Sequence, residues 1–195
     1  MQRSPLIVPV KSTPRAATMA ECPFCRLLGS RRHAARIAEF EHSVAFLHLD
    51  QTHPGRSVLI LKRHFDHYHE LPEPLFTAFN RDLRRLAAAL LRELRPQRLN
   101  YAVLGNVVPH VHWHLIPRYL DDPNPGAPPW PAGEPRRLTA DQYAALARRL
   151  GLAVAGRDDA PPSASGPAFQ SSPGAPGVRG PWLRRLIPNR LDPLL

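Results

Sequence analysis

Three histidines stand at alternate positions, His110, His112 and His114, in the run Pro-His-Val-His-Trp-His-Leu-Ile-Pro. The residues between them, Val111, Trp113 and Leu115, are apolar. Period-two alternation marks a half-buried strand, so the three imidazoles leave one face while the apolar side chains pack beneath it. Imidazole transfers protons, binds metals and attacks electrophiles near neutral pH. A strand rises roughly 3.3 Å per residue, which puts His110 and His112 about 6.6 Å apart at Cα and His110 and His114 about 13 Å apart. Neighbours in the trio can share an ion, but all three can hardly close on one metal at about 2 Å. The spacing predicts a division of labour, with one histidine in structure or metal binding and the others in chemistry.

A second chemically capable pair lies upstream. Cys22 and Cys25 are the only cysteines of the chain. Two cysteines three apart make a poor disulfide framework and a good metal or redox pair. A redox dithiol and two inert buried cysteines are the competing readings. A closed zinc site needs four ligands, so the pair would have to recruit two more.

The elements that must position these residues read as α+β. Val44 to Leu49 and Ser57 to Lys62 are strand-like, with His53-Pro54-Gly55 turning between them. Leu75, Phe79, Leu83, Leu86, Leu90 and Leu94 fall at helical spacing from about Glu73 to Leu94. Pro72 and Pro74 suit the first turn of that helix and Pro96 its end. Leu99 to Leu104 and Val111 to Ile116 are two further strands, joined through Gly105-Asn106. Thr139 and Gln142 form a capping box that predicts a helix to about Leu150. The proline-rich segment 121–135 is an irregular loop. Strands, one long helix, then strands predict an antiparallel meander sheet covered on one face by the helix.

A chain of 195 residues suits one domain with a sizeable core plus tails. Residues 1–20 are basic and aperiodic and read as a disordered N-terminal extension, either upstream of a natural start at Met19 or a targeting peptide. Residues 156–195 are rich in Pro, Gly, Ser and Ala and predict a disordered tail, although Trp182, Leu183, Leu186 and Ile187 form a short amphipathic run near the end. The domain between them is assigned to 21–155. It carries 18 basic and 13 acidic residues without a basic helix or stacking platform. That mild positive balance suits an anionic small substrate and argues against specific nucleic-acid binding. No apolar run approaches the roughly 18 residues a membrane span needs. A cytoplasmic protein is expected.

Four segments in order resemble one family. H-V-H-W-H-L-I at 110–116 matches the His-φ-His-φ-His-φ-φ motif of the histidine triad (HIT) proteins, where φ is apolar. E-C-P-F-C at 21–25, P-G-R-S-V-L-I-L-K-R-H at 54–64 and L-N-Y-A-V-L-G-N at 99–106 resemble three further elements of its bacterial members. The resemblance implies a HIT-like fold, often as a homodimer, and a nucleotide hydrolase or nucleotidyltransferase. In that chemistry His112 attacks the α-phosphate of a (di)nucleoside polyphosphate or nucleoside phosphoramidate to form a covalent nucleotidyl-histidine, which water then releases. His114 would hydrogen-bond a phosphate oxygen or protonate the leaving group. The resemblance also implies a structural zinc held by Cys22, Cys25, His64 and His110; His33, His42 and His67 are weaker metal candidates.

The chain departs from the pattern where substrate is held. The position that carries a ribose-gripping carboxylate or amide in many relatives is His48 here, and Asp50, two residues on, is a possible substitute. The glycine-rich loop before the triad is shortened, leaving Asn106 as the stand-in phosphate contact. Arg56 replaces the usual histidine of the Pro-Gly-His turn. Arg118 falls on the triad face if the strand continues past Pro117. A zinc-stabilised nucleotide-binding module with little turnover is the alternative to an enzyme.

Overall fold

The computed structural model describes residues 21–30, 33–122, 127–129 and 134–156. The two tails, Met19 and the Trp182–Ile187 run lie outside the described residues. Five strands form one sheet in the order β1-β2-β3-β5-β4: β1 Arg36–Glu39, β2 Ser43–Leu47, β3 Ser57–Leu61, β4 Arg98–Val103 and β5 His112–Arg118. Every neighbouring pair is antiparallel. Around the sheet stand helices α1 Pro23–Gly29, α2 Glu73–Leu94 and α3 Ala140–Ala155.

The predicted sheet and long helix are both present, with one refinement of path. After β3 the chain crosses over through α2 to the far edge, runs out along β4, and returns as β5 between β4 and β3. The triad strand is therefore central, with a partner on each side.

Alternation sorts the two faces. Leu59, Leu61, Val111 and Leu115 join the larger core, together with Leu75, Phe79, Leu86 and Leu90 of α2 and Tyr143, Ala147 and Leu150 of α3. Trp113 packs against the same core. Thr139 caps α3 as predicted: its hydroxyl accepts the Gln142 N–H, and the Gln142 side chain accepts the Thr139 N–H. The other face carries His112 and His114, opposite Ile60 and Val58 of β3. Val44, Phe46, Val58 and Ile60 form a smaller cluster there, covered by Phe24, Leu27 and Leu28 of α1. The short α1 thus brings the cysteine pair to the triad face.

The β2–β3 connection is rigidly built. Gly55 adopts φ +86, and a Cβ there would meet the Leu94 side chain at 2.1 Å. Only glycine fits both the left-handed conformation and the close approach. Gln51, 1 % exposed, donates to the carbonyls of His48 and Arg56 and accepts the Gly55 N–H.

Candidate active site

His112 and His114 open β5 and His110 lies in the bend just before it; their hydrogen bonds fix their tautomers. His112 Nδ1 donates to the carbonyl of His110 at 2.6 Å, which leaves the lone pair on Nε2. That lone pair faces His114 Nε2 at 3.0 Å, so His114 is the donor in this pair. The Phe24 ring lies edge-to-face on His112, with centroids 4.7 Å apart. His112 is 4 % exposed and His114 9 %. Burial holds His112 below the usual imidazole range, opposed by its bond to the His110 carbonyl. Burial, with His112, Arg56 and His48 nearby, pushes His114 down to about 3. At neutral pH the pair is an uncharged base and an uncharged donor, the state that nucleophilic attack requires.

His110 looks the other way. Its Nε2–H donates to the Leu61 carbonyl at 2.7 Å, turning Nδ1 toward Cys22 Sγ at 3.3 Å and Cys25 Sγ at 3.6 Å. His64 repeats the arrangement. Its Nε2–H donates to Asp66 at 3.0 Å and its Nδ1 faces Cys25 Sγ at 3.4 Å. The four ligand atoms all lie within 4.8 Å of one another. In a tetrahedral zinc site, bond lengths of 2.0–2.3 Å put ligand atoms about 3.6 Å apart. An outer carbonyl or carboxylate on the far nitrogen is the usual support of a metal-bound histidine. The donor set therefore fits zinc. Burial and the Cys22 sulfur push the Cys25 thiol up to about 11, a sign that a bound divalent cation would reverse.

Of the predicted substrate contacts, His48 makes a ring contact with the triad, its centroid 6.0 Å from that of His114. Asp50 lies on the loop below it, drawn into a local network. One carboxylate oxygen accepts from the Thr52 N–H and hydroxyl and from the Arg136 N–H; the other accepts from Arg56 at 2.8 Å. Asn106 is exposed in the loop leading to His110. Arg118 ends β5, six residues from His112 and so about 20 Å along the strand. Its guanidinium donates to Asp122 at 2.6 Å, Asn100 at 2.8 Å and the Ala127 carbonyl at 2.9 Å, and buried His53 stands 3.4 Å from the same Asp122 carboxylate. Among the described residues, this framework ties Asp122 and Ala127 back to the end of β5. Phe24, Asp66 and Arg56 join the site without having been assigned to it from sequence. The His64-Phe65-Asp66 spacing was the available signal for Asp66; nothing local marks Phe24.

The depressed histidines couple stability to pH. His48 is pushed down to about 4, chiefly by burial and then by Arg56. Both His48 and His114 bind a proton more readily in the unfolded chain, near pH 6.5, than in the fold. Their contribution is full above pH 6.5 and is lost as pH falls toward 4 and then 3, at about 1.4 kcal/mol per unit per group. Melting temperature should fall steeply between pH 6.5 and 4.5. The fall should be shallower in a His48→Gln/His114→Gln variant; parallel curves would refute the assignment.

Residues 30–121 match the HIT domain family model. Adenosine 5'-monophosphoramidase HNT1 of Saccharomyces cerevisiae is 30% identical over 132 residues, covering 67% of this chain and 83% of the yeast protein. Protein hit of Bacillus subtilis is 31% identical over 103 residues, 50% of this chain and 71% of the relative. A histidine triad protein from Marinobacter aquaeolei VT8 superposes with a TM-score of 0.58 at 25% identity, covering 67% of this chain and 94% of the other. The chain belongs to the histidine triad family.

Proposed function

We propose that this protein is a nucleotide hydrolase or nucleotidyltransferase working at an α-phosphate through a covalent nucleotidyl-His112. The observation that carries the reading is the His110 carbonyl–His112–His114 relay. The carbonyl holds the Nδ1 proton, so Nε2 is the nucleophile, and His114 offers a proton on the same side. On attack the Nε2–P bond forms and the bond from phosphorus to the leaving group breaks. His114 turns its Nε2–H from His112 to the departing atom or to a phosphate oxygen. Water then cleaves the phosphorus–nitrogen bond and regenerates His112. The name of the yeast relative supports a phosphoramidate as one substrate class.

Cys22, Cys25, His64 and His110 would hold a structural zinc whose role is to neutralise two thiolates and brace the sheet. In the proposal His48 lies along the sugar-phosphate part of the substrate, and Asn106 reaches the phosphate from its loop. Asp50 supports these contacts by holding Arg56, while Arg118 braces the far end of β5. A homodimer through the β4 edge is also proposed, since β4 ends the sheet and exposes Tyr101, with exposed Leu104 just beyond it.

Incubation with a diadenosine polyphosphate or an AMP phosphoramidate, radiolabelled at the α-phosphate, tests the mechanism. Acid-labile label should be trapped on the wild-type protein. Binding without label would mark a binding module instead. A chain of residues 19–155 should retain kcat/KM within tenfold, because every proposed site residue lies between 22 and 118. A larger loss would place residues 1–18 or 156–195 in the working enzyme, and a chain of residues 1–155 tells the two apart.

A further inference from the structure

The triad face continues beyond His114 with His48, so far placed only along the sugar-phosphate, and with Arg56, which the proposed chemistry has not used. Arg56 and His48 are cross-strand neighbours, joined where the His48 N–H donates to the Arg56 carbonyl at 2.8 Å. Arg56 lies two residues before Val58, the partner of His114, and so falls on the triad face diagonal to that histidine. His48 itself rests against the His114 ring. Arg56 thus stands one strand spacing, about 4.8 Å, from β5, and the His48 ring reaches from the next strand to 6.0 Å from that of His114, so the two flank one end of the reacting pair.

Both added groups are built as donors. The Asp50 N–H donates to His48 Nδ1 at 3.0 Å, shorter than the 3.3 Å from that nitrogen to the Asp50 carbonyl; with Nδ1 as the acceptor, the His48 proton sits on Nε2, at the other edge of the ring. Arg56 is 7 % exposed, and its guanidinium is held by the Asp50 carboxylate at 2.8 Å. That carboxylate is fixed in turn by Thr52 and Arg136. A guanidinium held in one plane beside a neutral imidazole N–H is a preorganised anion receptor. A neutral hydroxyl could accept from the same donors, but only an anionic oxygen also gains from the guanidinium charge. The charge of Arg56 reaches both rings, since it helps hold His48 and His114 neutral.

We propose that His48 and Arg56 form a subsite for a second phosphate of the substrate, beside the α-phosphate bound at His112. The inference rests on the α-phosphate reading of the site and narrows it. The preferred substrate carries two phosphoryl groups close together, either consecutive on the 5′ chain or one on the 5′ carbon and one on the ribose. Asp50 is a positioning residue in this view, holding Arg56 in plane.

Calorimetric titration of the full chain with AMP, ADP, adenosine 3′,5′-bisphosphate and adenosine 2′,5′-bisphosphate tests it. At least one doubly phosphorylated nucleotide should bind tenfold or more tighter than AMP. Preference for ADP would place the second phosphate on the 5′ chain, and preference for a bisphosphate would place it on the ribose. The preference should vanish in Arg56→Gln and survive in part in Arg56→Lys, which keeps charge without the fork. Because Arg56→Gln leaves Asp50 unpaired, Asp50→Asn/Arg56→Gln is measured beside it and should also show no preference. AMP binding as tightly as all three, or a preference unchanged in the double variant, would overturn the subsite while leaving the α-phosphate reading intact. No binding of any nucleotide would overturn both.

Discussion

Replacing His112 by alanine is expected to lower nucleotide turnover by at least about 10³-fold while leaving mononucleotide affinity within about tenfold. The asymmetry follows from geometry. His112 is buried against Phe24 and tied by Nδ1 to the His110 carbonyl, so its one remaining nitrogen is committed to chemistry. The other groups proposed to hold substrate, His48 and Asn106, stand on different elements and keep their places. The acid-labile adduct should disappear together with turnover. Initial rates and equilibrium binding measured on one preparation decide the matter. Turnover near wild type would refute covalent catalysis at this residue, and a loss of binding as large as the loss of rate would make His112 a binding group instead.

Much of this site was legible because its residues obey local rules. Period-two spacing put the three histidines on one face, and the structure places their apolar neighbours in the helix-covered core. The α2 stripe and the Thr139 box were legible for the same reason: leucines at helical spacing and a capping hydroxyl are written in consecutive residues. What escaped is non-local or short. β1 has only four residues and α1 seven, too few to establish a period. The return of β5 between β3 and β4 is a choice among partners that alternation cannot make, since any neighbour satisfies it. Asp50 and Arg118 show the limit on single residues. Spacing assigned them a face, but their nearest charges, Arg56 and Asp122, claimed them for the framework. Asp66 carries only a spacing signal in the sequence, because its role depends on His64 first being turned toward the cysteines.

Cys22→Ser/Cys25→Ser is expected to remove about one zinc per chain and to lower the melting temperature by roughly 10 °C or more, since structural zinc contributes directly to folding free energy. The effect should extend past stability, because the four-residue cluster touches the nucleophile by two routes. His110 belongs to the cluster through its side chain and holds His112 through its carbonyl. Phe24, between the two cysteines, lies on the His112 ring. Loosening α1 therefore frees both the ring contact and the strand entry at His110, and kcat should fall by more than KM rises. Removing metal from the wild-type chain with a chelator should reproduce the same split, and adding zinc back should reverse it there but not in the double serine variant. Metal analysis showing no zinc in protein purified without chelator would sink the metal assignment. Zinc lost with kcat unchanged would leave the metal in place as a brace and cut its link to His112.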